Sequence, residues 1–98
     1  MRRGSTPTNT FTVDIDLRQA TVYVSYSQGG QVVVEKTNAD LTIEESSIEV
    51  KLTQEDTLAF GLGEVYIQIR YVFPFTGDAD ASNIIRTTAD RILKDGVI

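Results

Sequence analysis

Apolar residues in this chain recur at every second position, in one segment after another, with turn-forming residues between. A helix would scatter such residues around its circumference, whereas a strand gathers them on one face. From Phe11 the pattern reads Phe11, Val13, Ile15 and Leu17 against Thr12, Asp14 and Asp16. Residues 20–27 follow, with Val22, Val24 and Tyr26 on one face and Thr21, Tyr23 and Ser25 on the other. Gly29-Gly30 then tolerates the positive φ that a two-residue hairpin turn requires. The chain returns through Gln31–Lys36, where Val32-Val33-Val34 predicts a strand with apolar contacts on both faces.

Leu41 and Ile43, then Ile48, Val50 and Leu52, mark two short strands separated by Glu45-Ser46-Ser47. Thr53-Gln54-Glu55-Asp56 has the form of a capping box and predicts one helical turn, anchored by Leu58 and Phe60. Residues 64–73 form the longest alternation: Val65, Ile67, Ile69 and Tyr71 face one way, Tyr66, Gln68 and Arg70 the other. Pro74 ends it, having no N–H to donate to a ladder. Beyond Ala81 two readings compete. Ile85, Thr87 and Thr88 favour a strand through Ala89, while Ile84, Ile85, Thr88 and Ile92 share a helical face. The strand is the expectation, with a helical turn over 90–94.

These segments predict an all-β, antiparallel, immunoglobulin-like or fibronectin-like sandwich of about seven strands with one short helical turn. A small barrel is the rival. Ninety-eight residues suit one domain, expected over 10–98, behind a loose arm at 1–9 where Gly4, Ser5, Pro7 and Asn9 cluster. A chain of this length buries about two-thirds of its unfolded surface, enough to fold without disulfides.

Composition narrows the chemistry. The chain has no histidine and no cysteine, so Ser-His-Asp triads, Cys-His dyads and imidazole or thiolate metal sites are excluded. No enzyme activity and no cofactor are expected. Nine basic against fourteen acidic residues give −5; without Arg2 and Arg3 the balance is seven against fourteen, or −7. An acidic body repels phosphate backbones and anionic headgroups, so neither nucleic acid nor membrane is an expected partner. No apolar run approaches the roughly 20 residues of a membrane span, and no hydrophobic segment follows Arg2-Arg3 as a secretory signal requires. Bacterial cytoplasm during expression is the expected location.

Asp14 and Asp16 share a strand face, where paired carboxylates could serve acid–base chemistry or a cation. With nothing to raise one pKa, a solvated face is the better reading. Asp78-x-Asp80-x-Ser82 resembles the start of a calcium loop, but Asn83 stands where an EF-hand needs glycine and Ala89 where it needs glutamate. A hairpin tip is expected there, with an exposed calcium contact as the alternative. Tyr23, Tyr66, Gln68 and Arg70 fall on the faces away from the predicted core, where they are either open to a partner or covered by the second sheet's edge or a loop. Aromatics with arginine are the composition of interaction hot spots, so these four are the candidate surface.

The phrase Leu52-Thr53-Gln54-Glu55-Asp56-Thr57, continuing through Gly63 into Glu64–Arg70, resembles one found in small phage and prophage β-sandwich domains. Gly29-Gly30 before Val32-Val33-Val34-Glu35-Lys36 is similar to their second hairpin, and Ala81–Arg86 to their final strand. The resemblance covers about residues 11–90. It implies a virion structural module like the N-terminal domain of baseplate upper proteins of phages of Gram-positive bacteria. Such a module would act through contacts with other phage structural proteins or with itself. The sequence reaches Ile98 without a receptor-binding region, which favours docking over host recognition. A carbohydrate- or calcium-binding sandwich is the alternative function.

Overall fold

The alternating segments become strands, each burying its apolar face. A computed structural model describes residues 1–98 as eight strands, one 3-10 turn and one helical turn. The strands are β1 (Thr8–Thr12), β2 (Thr21–Gln28), β3 (Gln31–Thr37), β4 (Leu41–Ile43), β5 (Ser47–Lys51), β6 (Gly63–Val72), β7 (Ala79–Ala81) and β8 (Ile85–Ala89). They form two antiparallel sheets, β1-β5-β4 and β3-β2-β6-β7, with β8 also paired to β6. This is an all-β sandwich. No helix is long and apolar enough to cross a membrane.

The core lies between the sheets. Val22, Val24 and Tyr26 of β2 and Val65, Ile67 and Ile69 of β6 meet Ile48 and Val50 of β5, and all eight are buried. Tyr26 spans the layers: its ring lies 6.1 Å from that of Phe60, and its hydroxyl accepts a 2.8 Å hydrogen bond from Asn9 Nδ2 of β1. Burial pushes the Tyr26 phenol up from its ordinary pKa.

Local chemistry accounts for the turns. Gly29 and Gly30 both take positive φ, 58° and 78°, and join β2 to β3 in two residues. At α1 (Gln54–Leu58) the Thr53 hydroxyl accepts from Asp56 N at 3.1 Å while the Asp56 carboxylate accepts from Thr53 N at 2.9 Å. That carboxylate also meets Lys36 Nζ of β3 at 2.8 Å. Burial raises the Asp56 pKa, but the Lys36 ammonium and the Thr53 N–H outweigh it and hold the carboxyl below its usual value. Phe60 is buried at this corner as expected; Leu58 is half-buried, and Thr57 fills the remaining place.

Four expectations need correction. The first strand ends at Thr12, not Leu17, because Asp16 accepts hydrogen bonds from the Arg18 backbone and guanidinium and turns the chain. Leu17 is still buried, but Ile15 is left 42% exposed. The last segment is two strands rather than one, so the count is eight. No helical turn forms over 90–94, where the backbone is irregular. The fourth concerns residues 1–9, which are tied down rather than loose. Asp90 N donates to Met1 O at 2.8 Å and Arg3 N to Asp90 O at 3.1 Å. Arg3 also donates to the carbonyls of Phe60 (2.7 Å) and Leu58 (2.9 Å), while Ser5 O accepts from the buried Thr57 hydroxyl at 2.8 Å.

Candidate protein-interaction face

Residues directly opposite in an antiparallel pair point to the same side of the sheet. The β2–β6 register sets Tyr23 against Arg70, Ser25 against Gln68 and Ser27 against Tyr66, all on the face away from the core. The four candidate residues therefore share one surface. β8 adds Arg86 opposite Tyr66, and β3 adds Glu35 opposite Ser25. A shallow depression of about 310 Å³ lies between β3 and β6, flanked by Val32 and Ile84, which are 56% and 61% exposed. Neither is one of the four expected surface residues, and the apolar contacts expected on both faces of Val32-Val33-Val34 are not made at Val32. The bulge between Tyr26 and Ser27 helps to place Val32 here, opposite Ser27, rather than against the core.

The four residues differ in how free they are. Tyr23 is 39% exposed and makes no side-chain hydrogen bond; Arg70 is exposed and has neither a hydrogen bond nor an ion pair. Tyr66 is half-buried, and its hydroxyl donates to Glu64 Oε2 at 2.5 Å. That hydrogen bond to a carboxylate raises the phenol's pKa. Gln68 is committed to the fold: its Nε2 donates to Ser82 O at 3.0 Å, tying β6 to the β7–β8 connection. Arg86, like Arg70, has no ion-pair partner.

The calcium-loop oxygens are not gathered. Asp78 closes the turn after Phe73, with its N–H on the Thr76 hydroxyl at 3.2 Å. Asp80 lies on β7 opposite Tyr71, and one of its oxygens accepts the Ala81 N–H at 2.8 Å. The Ser82 hydroxyl accepts Ile69 N–H at 3.0 Å and donates to Asn83 O at 2.8 Å. No three carboxylates, imidazoles or thiolates cluster anywhere in the chain.

Asp14 and Asp16 lie beyond β1 and not on a strand. Asp16 meets Arg18 Nη2 at 2.7 Å, and the hydrogen bonds from the Arg18 side chain and backbone lower its pKa to about 2. NMR titration should show this carboxyl titrating near 2, and Arg18→Gln should return it toward about 3.9. The folded pKa is depressed, so the interaction contributes fully above the ordinary aspartate value. It is lost as pH falls toward 2. An ordinary midpoint in the unaltered chain would contradict the clamp.

The molecule is thus an antiparallel β-sandwich whose larger sheet presents aromatic rings, two unpaired arginines and exposed aliphatic side chains on its outer face. Comparison with protein-family models, curated proteins and solved structures finds no match to this chain.

Proposed function

We propose that this chain is a non-enzymatic docking module that binds another protein through the outer face of β3, β2, β6 and β8. One observation carries the reading. Arg70 sits beside Tyr23 and Arg86 beside Tyr66, both arginines lack an acidic partner, and exposed Val32 and Ile84 flank them. In a chain of net charge −5, unpaired guanidinium groups on an aromatic face select an acidic, partly apolar partner surface. The aromatics supply contact area at low entropic cost, and arginine adds planar, directional donors. The resemblance over residues 11–90 supports a phage-type, immunoglobulin-like structural setting, with virion proteins as the partners.

The test is binding to the proteins encoded beside this one, followed by pull-down and sedimentation velocity. Tyr66→Ala with Arg70→Ala should weaken that binding at least about tenfold, the loss expected of hot-spot truncation. Both side chains lie outside the core, so thermal melting should be nearly unchanged. Undiminished binding by the double variant would overturn the assignment of this face.

A further inference from the structure

The two sheets differ in width. β7 and β8 share one position along β6, because β7 pairs Arg70–Val72 and β8 pairs Gly63–Ile67. The larger sheet is therefore four strand positions wide, against three for β1-β5-β4. One position on the inner surface of the larger sheet has no strand above it. Ile85 records the deficit: its register with Ile67 turns it to the core side, yet it is 40% exposed. At the other end of β8 the strand is covered, for Ala89 is buried where Met1–Arg3 run beside Asp90.

The uncovered position opens as a cleft of about 510 Å³ between β1 and the β7–β8 edge. Phe11, Val13, Tyr71 and Ile85 form its apolar wall; Asp14 and Asp80 are its charged groups, and no lysine or arginine lines it. Along its border runs the free edge of β1. Val13 N donates to Ser46 O and Pro7 O accepts from Leu52 N, so the odd-numbered peptide groups of β1 face β5. Those of Thr8, Thr10 and Thr12 therefore point outward, and no strand pairs with them. An extended segment laid there would find a ladder of peptide groups and an apolar wall for its inward side chains, with Asp80 on that same wall opposite Tyr71 and Asp14 beyond the end of β1 to attract cationic ones.

We propose that this flank accepts a strand from a partner protein, one carrying both apolar and cationic residues, which pairs with β1 and completes the smaller sheet. The site is separate from the outer face of β2 and β6, so either assignment can fail without the other.

The probe is a short acetylated peptide alternating valine and lysine, titrated into the 15N-labelled chain, with a valine–glutamate peptide as control. Amide shifts should appear at Thr8–Thr12 and around Ile85. The lysine peptide should bind at least about tenfold more tightly, and the margin should shrink in high salt. Thr10→Pro removes an outward N–H while leaving the β1–β5 ladder its donors, so it should abolish binding with the fold retained. Asp14→Asn with Asp80→Asn, both exposed, should erase the preference for lysine and provides a second arm should the proline variant not fold. Equal affinity for the two peptides, or shifts confined to the outer face of β2 and β6, would overturn the proposal. So would a peptide-free dimer that Thr10→Pro dissociates, since it would assign the flank to a second copy of the chain.

Discussion

Tyr26→Ala should remove about 4 kcal/mol of folding stability, and Tyr26→Phe only about 1–2 kcal/mol. The alanine variant loses a fully buried ring that packs against Phe60 and leaves a cavity between the sheets. The phenylalanine variant keeps the ring and loses only the acceptor of the Asn9 amide. A domain of this size has about 5–15 kcal/mol in total, so the alanine variant should melt roughly 20 °C lower. Urea unfolding of the two variants measures the ratio. Equal losses would mean that the hydrogen bond between the layers, and not the packing, carries the contribution of Tyr26.

Asn38→Ala should cost about 2 kcal/mol, more than exposure of this residue suggests. Its side-chain amide imitates a strand: Oδ1 accepts Val22 N–H at 2.8 Å and Nδ2 donates to Ala20 O at 2.9 Å. Truncation leaves both backbone groups unpaired beside the core, where Ala20 and Val22 are themselves buried. Asn38→Asp keeps the acceptor for Val22 but sets a carboxylate against the Ala20 carbonyl, so it should recover little of the loss. Urea midpoints, compared at constant m-value, decide the matter. An aspartate variant as stable as the unaltered chain would show that Nδ2 contributes nothing.

The strands were legible wherever period-two alternation coincided with a buried face. The spacing of Val22, Val24 and Tyr26, and likewise of Val65, Ile67 and Ile69, predicts an inward face, and all six are buried. The Gly29-Gly30 turn and the Thr53–Asp56 capping box were readable because short-range hydrogen bonding and φ alone specify them. The end of the first strand is not legible, for the opposite reason. Val13, Asp14, Ile15 and Asp16 continue the alternation, but the Asp16–Arg18 clamp offers the backbone a competing local arrangement. The structural roles of Arg3, Asn38 and Thr57 are not legible in the sequence, because each bonds to backbone groups distant along the chain. No local spacing encodes such pairs.

The candidate face was half readable. Outward placement of Tyr66, Gln68 and Arg70 follows from the parity of one strand, but their union with Tyr23 depends on the β2–β6 register. The exposed Val32 and Ile84, and the unpaired state of Arg70 and Arg86, follow from how neighbouring strands align.

Alternation by itself, then, determined that this chain forms β-strands with one wet and one dry face, and the composition determined that no imidazole or thiolate is available to it. Both are properties of residue type and local spacing. Only the tertiary structure decided that β7 and β8 share one place beside β6, leaving the smaller sheet a strand short and Ile85 uncovered. Strand order is set by which faces can bury one another across the whole chain, and a period of two is the same for every order.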